Sequence, residues 1–447
     1  MGATFGEEFV FAAHRAVRTI IPRLQDRIAV SWRTAPYPFI YYLPFFFMAY
    51  LARRQDTYLI RLLLLPATIC GIVAAAYRFV WTTPALNVYN WGQCLFAAVA
   101  IAKTLEYALN KEGMLKIGEI RPGVMKGKGT YHGNPNGISS GNPTGTSNGH
   151  AAPVVDCNQS SVPPWLYDTI ELTHTLRGLQ WKFGQGIHIP KQTRPLERQA
   201  FLHATLLSFI KNFLIVDFLE STLKLFPGVG SPMGGSMFYP NLPLFWRYSV
   251  ATLIHMMTGT AILVGFGMVY DLITLVAVGC FDSSPTSWPP VTDDPWTADS
   301  MHNLWAKQWH QLLRQTFLVL GGYPGKWIAG NLGMLFGTFI ASGLFHECAM
   351  YSMGHGFNHT APLFFALQGP LLILERWWRK VTGRRVGGLW GRLWVYFIVF
   401  ITAQPMVDAW HRRGLGGGMV IPPFISPTKL LLVPLVQKAF NIKTYQN

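Results

Sequence analysis

The chain has 447 residues, of which 50% are hydrophobic, 14% aromatic and only 13% charged. A soluble chain carries about 25% charged residues, so a string of soluble domains is excluded, as is disorder of the whole chain. The net charge of +16 comes from 37 Lys and Arg against 21 Asp and Glu. Because the bases are scattered between apolar runs, they suggest cytoplasmic loops and anionic lipid contacts rather than a nucleic-acid partner.

The first 33 residues hold five arginines and lack an apolar core long enough for a signal peptide. Residues 7–30 read either as an amphipathic helix on the membrane, with Arg15, Arg18, Arg23 and Arg27 towards headgroups, or as a frayed basic tail.

Runs free of Asp, Glu, Lys and Arg follow at 34–52, 79–102, 248–270 and 328–346, with weaker candidates at 62–77, 200–218, 361–374 and 393–407. A helix needs roughly 20 such residues to cross the hydrocarbon. The expectation is an all-α polytopic transmembrane bundle of about eight spans around a central cavity. Pro66, Pro370, Pro405, Gly333, Gly337 and Gly343 should bend its helices. The expected organisation is a basic segment at 1–33, N-terminal membrane helices at 34–110, a long polar loop at 111–198, and a catalytic helix bundle at 199–447.

Residues 123–153 are rich in Gly, Asn, Ser and Thr and nearly lack large apolar side chains. They cannot bury enough surface to offset the entropy of ordering, so this part of the loop is expected to be disordered. GISSG at 137–141 matches the hydrolase elbow formally but has neither a strand before it nor a helix after it. The basic loop 110–198 suggests the cytoplasmic side, against competing demands from the N-terminus and Arg53-Arg54. Asn158 and Asn358 begin formal glycosylation sequons whose use depends on that sidedness. Cys70, Cys94, Cys157, Cys280 and Cys348 show no regular spacing and read as free thiols.

Polar groups at membrane depth are costly, so each is a candidate site. His346 and Glu347 follow eighteen uncharged residues. A buried histidine favours its neutral, proton-accepting form; the bland alternative is a histidine bonded to a neighbouring helix for packing. A zinc-protease motif would need a second histidine at 350, which is Met. His355 and His359 have HxxxH spacing, but the 13 histidines are otherwise scattered, and no metal is expected. Upstream, Ser300 or Asp299 should cap a helix whose Trp305, Trp309, Leu312 and Leu313 share one face. That helix is either interfacial or carries His310 and Asn303 towards His346.

NLWAKQWHQLLR at 303–314, followed 36 residues on from His310 to His346 by SGLFHE, resembles the membrane-bound O-acyltransferase superfamily, in its wax-synthase-like branch. THTLRGLQWKFG at 173–184 is similar to the Arg-Gly-x-x-Trp stretch of fungal members, and the resemblance covers roughly 173–408. It implies an integral, multi-pass protein of the endoplasmic reticulum. The implied reaction is acyl transfer from acyl-CoA, acetyl-CoA favoured, to a hydroxyl of a hydrophobic acceptor. CoA is a co-substrate, and no cofactor is bound permanently. His346 matches the family's near-invariant histidine, and His310 an upstream position that varies between branches.

General-base catalysis by a neutral histidine is worth roughly 10²–10⁴-fold. His310, Asn303 or Gln311 could donate to the developing oxyanion, with Trp309 and Glu347 as further substrate-side candidates. Cys348 lies about 200° around a helix from His346, so it is discounted as an acyl carrier. Arg177, Lys182, Arg314 and Lys326 are candidates for the CoA phosphates. The acceptor is either a terpenoid-type secondary metabolite, which is favoured, or a long-chain alcohol. The rival from another class, a proton-coupled transporter, predicts self-similar halves, and none is visible. Membrane lipids are the other expected partners; acceptor identity, protein partners and oligomeric state are not legible.

Overall fold

A computed structural model describes residues 5–125 and 163–440. The Gly/Asn-rich segment after its first three residues, GISSG, Cys157 and the Asn158 sequon all lie outside the described residues.

The protein is an all-α membrane bundle. Its helices are α1 (Phe5–Ile20), α2 (Pro36–Ala52), α3 (Tyr58–Arg78), α4 (Asn87–Leu109), α5 (Pro164–His174), α6 (Arg198–Leu223) and α7 (Leu244–Cys280). They continue with the one-turn α8 (Met301–Asn303), α9 (Arg314–Phe317), α10 (Tyr323–Tyr351), α11 (Thr360–Thr382), α12 (Gly388–Thr402), α13 (Gln404–Arg412) and α14 (Val433–Phe440). Each of the eight apolar runs read from the sequence contains helix, though 79–102 becomes α-helical only from Asn87 and 393–407 is divided between α12 and α13. Among the described residues six helical segments are long and apolar enough to cross a membrane; α2 has only 17 residues, and α11 carries Glu375, Arg376, Arg379 and Lys380 at its end. The outward faces present large apolar side chains such as Phe39, Leu63 and Trp246, as lipid contact requires. The little β structure is marginal: Ile28–Ala29 pairs in parallel with Phe79–Val80, and Glu119–Arg121 pairs with Val124–Met125.

An amphipathic α1 forms, with Phe9, Val10 and Phe11 exposed, but it ends at Ile20, so Arg15 and Arg18 lie on it and Arg23 does not. Arg27 also corrects the reading. It lies beyond the helix and turns inward, its guanidinium 5.8 Å from the Tyr77 ring centre.

The chain from 314 to 351 is one apolar stretch but two helices. At Ala329 and Gly330 the backbone leaves helical geometry, with Gly330 at φ 60° and ψ −143°, a region nearly closed to other residues. The arms then fold against each other through glycines. A Cβ on Gly321 would meet the Gly337 carbonyl oxygen at 2.1 Å, and one on Gly325 would meet that of Gly333 at 2.1 Å. The pairing 321/337 and 325/333 is the register of an antiparallel hairpin in which backbones touch. It lets the second arm sit deep in the bundle.

Buried residues gather in three groups. One joins α2, α3 and α4 around Phe45, Ile72 and Tyr107. The central one joins α7, α11 and α13 around Ile254, Phe365 and Trp410. The third lies under α8 and α12.

The long polar loop is anchored where it is described. Arg53, at the end of α2, donates to both oxygens of Glu119 (2.7 and 2.9 Å) and to Asp168 (3.0 Å). Lys116 joins Asp168 and Glu171 at 3.0 and 2.8 Å, and Trp181 is fully buried beneath them.

Candidate active site

The Trp305–His310 segment begins as the sequence suggests. Ser300 Oγ accepts from the Asn303 amide (3.1 Å), and Glu375 of α11 accepts from the amides of Met301 (2.7 Å) and His302 (3.0 Å). A carboxylate there suits the positive end of a helix. The expected helix through Leu313 does not form, however. After α8 the turn widens to π geometry over Leu304–Gln308, and at Trp309 the backbone is extended, with ψ 154°. Gln311 explains how the break is tolerated: its Nε2 donates to the carbonyls of Trp305 and Trp309, both at 3.0 Å. Those carbonyls would otherwise be unpaired, at a cost.

His310 sits at the break. Its ring packs on Phe266 of α7 at 4.9 Å between centres and on Trp309 at 5.4 Å. His346 projects from the second arm of α10. It stacks on Phe365 of α11 at 4.9 Å with 9° between planes, and tilts against Trp410 of α13 at 6.0 Å. The two imidazoles are close enough to interact electrostatically. Nδ1 of each is buried without a hydrogen-bond partner. Both histidines are half-buried and retain some accessible surface. The hollow of about 310 Å³ lined by Phe11, His14, Arg15 and Arg18 lies along α1, away from this site.

The remaining expected residues divide between scaffold and open positions. Asn303 Nδ2 donates to Asp299 Oδ1 at 2.8 Å, and Gln311 is engaged as described, so among the three expected oxyanion donors only His310 has unengaged ring nitrogens. Glu347 faces away from His346 into a buried ion pair with Arg413 (2.8 Å) and accepts from the Asn358 amide (2.7 Å). Trp309 lies against Trp305, whose Nε1 donates to Gln368 (3.1 Å).

Arg177 is buried, its guanidinium donating to the carbonyls of Pro289 (2.8 Å) and Pro290 (2.7 Å) and to the Tyr270 hydroxyl (2.6 Å). Those bonds make it a clasp between the loop before α6 and the proline-rich loop before α8, not an open phosphate contact. Gly178 turns the chain there at φ 64°, where a Cβ would strike the Phe183 ring at 2.4 Å. Lys182 is exposed and Arg314 half-buried; both remain open to an anion. Among the described residues no three His, Cys, Asp or Glu side chains converge as a metal site.

Sequence reasoning missed Phe266, Phe365 and Trp410, the aromatic walls, and Arg413, the partner of Glu347. Only Trp410, in a Trp-His-Arg-Arg run, offered a local signal.

Residues 288–367, which carry both histidines, match the family described as membrane bound O-acyl transferase. The chain is 32% identical over 136 residues to an acetyltransferase of Calcarisporium arbuscula, covering 28% of this chain and 33% of that protein. It is 23% identical to an acetyltransferase of Rhodocybe pseudopiperita (51% and 62% covered) and 25% identical to an O-mevalon transferase of Penicillium terrestre (49% and 54% covered). The matches thus span from a third to about six-tenths of these relatives' lengths. No solved structure matches.

Proposed function

We propose that the protein is a membrane-embedded O-acyltransferase of the kind its matched segment resembles. It moves an acyl group, acetyl in preference, from acyl-CoA to a hydroxyl of a hydrophobic secondary-metabolite acceptor, in the endoplasmic reticulum membrane. The observation that carries the proposal is the pair His310 and His346, each with Nδ1 buried and unpartnered and each ring packed on aromatic side chains. In this reading His346 takes the proton of the acceptor hydroxyl as its oxygen attacks the thioester carbonyl. His310 donates to the oxyanion. The carbon–sulfur bond then breaks, and the proton held on His346 passes to the leaving thiolate, giving ester and free CoA. Holding two apolar substrates in a dry space adds proximity to base catalysis. Lys182 and Arg314 are the basic groups left open for CoA.

The test is an assay of microsomes containing the chain, supplied with labelled acetyl-CoA or palmitoyl-CoA and with terpenoid or long-chain alcohols, beside His346→Ala. Ester formation with acetyl-CoA, lost in a folded mutant, is expected. No ester with any pair, or an active mutant, would sink the proposal.

A further inference from the structure

Unpartnered buried ring nitrogens do not stop at the two histidines above. His255 Nδ1, Trp410 Nε1 and His411 Nδ1 are also buried without hydrogen-bond partners, and all three side chains are more than nine-tenths buried. Leaving such atoms unpaired is costly, and a cluster of them needs an explanation.

The three are connected. α13 is a nine-residue helix that places Trp410 against His346 (6.0 Å) and, one residue later, His411 beside His255 of α7. His411 is accounted for locally. The Thr258 hydroxyl lies 2.8 Å from both the Ile254 carbonyl oxygen and His411 Nε2, so Nε2 has its partner. The bare Nδ1 then faces Gly416, where even a Cβ would approach at 2.7 Å, leaving no room for a ligand. His255 is different. Its ring lies edge-on to Phe400 at 5.2 Å, and neither nitrogen has a partner among the described residues. Trp410 Nε1 is a donor facing no acceptor.

α7 relates this second point to the first. His255 and Phe266 are eleven residues apart, three turns on nearly the same helix face and about 16 Å along the axis. Phe266 packs on His310. One face of α7 therefore runs from Phe266, beside His310, to His255.

We infer that His255 forms a second polar contact point of the acceptor site, taking an oxygen function at the end of the acceptor remote from the acylated hydroxyl. This rests on the acyl-transfer reading and narrows it. The acceptor class is a rigid polycycle with at least two oxygen functions; a straight-chain alcohol has no atom to offer there. A site built to hydrogen-bond an oxygen discriminates strongly against the analogue lacking it.

The test uses the full-length protein in detergent with two probes, 3β-hydroxy-5α-androstan-17-one and 5α-androstan-3β-ol. Acetyl transfer from labelled acetyl-CoA and the thermal midpoint are both read. Wild type should favour the ketone by about tenfold or more in kcat/KM. His255→Leu should bring the ratio near one, and His255→Gln should restore part of it. Equal use of both probes by wild type, or a preference surviving His255→Leu, overturns the inference while leaving acyl transfer intact. If neither is acetylated, a midpoint raised by the ketone more than by the alcohol, and only when His255 is present, upholds the contact point and counts against the reaction. No such difference overturns the contact point.

Discussion

Arg413 donates to both carboxylate oxygens of Glu347, at 2.8 and 3.2 Å, and to the Gly356 carbonyl at 2.7 Å, with both charged side chains almost wholly buried. Glu347 follows His346 directly, and Arg413 lies three residues after Trp410. One ion pair therefore fixes the rotation of α10 that aims His346 and the position of α13 that sets Trp410 against it. Removing one partner of a buried pair leaves an uncompensated charge, worth about 3–5 kcal/mol. Arg413→Met should lower the thermal midpoint in detergent sharply and abolish ester formation, whereas Arg413→Lys, which cannot form the two-pronged contact, should retain part of both.

His310 and His346 are proposed to act on the same transition state, so their contributions should not add. His346→Ala is expected to lower kcat/KM by about 10²–10⁴-fold, and His310→Ala by a smaller factor. The double mutant should be only slightly worse than His346→Ala. Steady-state rates of the three variants check this; losses that multiply would mean that the residues act independently.

The glycine hairpin predicts a sharp positional contrast. Gly337→Ala places a Cβ 2.2 Å from the Gly321 carbonyl oxygen, while Gly259→Ala on α7 meets nothing within 4 Å. Overpacking of this kind costs about 1–3 kcal/mol. Gly337→Ala should lower the thermal midpoint, and Gly259→Ala should leave it equal or raise it.

Arg177 and Arg314 should part company in kinetics. Arg314→Ala should raise KM for acyl-CoA by several-fold with kcat largely kept, as loss of uniform binding does. Arg177→Ala leaves the Pro290 carbonyl without its donor and the Pro289 carbonyl with the Tyr270 hydroxyl alone. It should reduce stability and the amount of folded protein, with the KM for acyl-CoA of the surviving fraction unchanged.

Acid should loosen the junction around Arg53. Burial alone would raise the Glu119 and Asp168 carboxyls, but the ion pairs with Arg53 and Lys116, and for Glu119 backbone amides as well, outweigh it and hold both below the usual range. Depressed carboxyls contribute stability that is present above their unfolded pKa, about 4, and is lost as pH falls through the folded value. The thermal midpoint should be flat from neutral pH to about 5 and fall below about 4, less steeply in Glu119→Gln.

Much of this was legible in the sequence because it depends on local composition. Apolar runs long enough to cross a membrane must become helices, so the runs located the helices, although only six helical segments among the described residues, not about eight, are long and apolar enough to span. Ser300 announced its cap, and His346 stood out as a polar group after eighteen uncharged residues. What could not be read depends on pairings distant in the chain. Glu347 and Arg413 are 66 positions apart. Nothing near Gln311 says that its side chain will take over two carbonyls and end a helix whose apolar spacing continues. Phe266 and Phe365 are ordinary members of apolar runs, distinguished only by what the fold brings opposite them. The glycines around 330 were visible as bends; that they mark a hairpin follows only from the backbone contacts between arms.

The length of α7 has a consequence for the lipid around it. Its 37 residues make a rod about 55 Å long, against a hydrocarbon layer of about 30 Å. A rod that long either leans or stands out of the bilayer, and a change in membrane thickness alters which. Arg177 and Arg194 grip this rod at Tyr270 and Asp271, and its inner face carries Phe266 and His255. Membranes of different thickness should therefore change turnover by tilting this rod, without touching any residue near the two histidines.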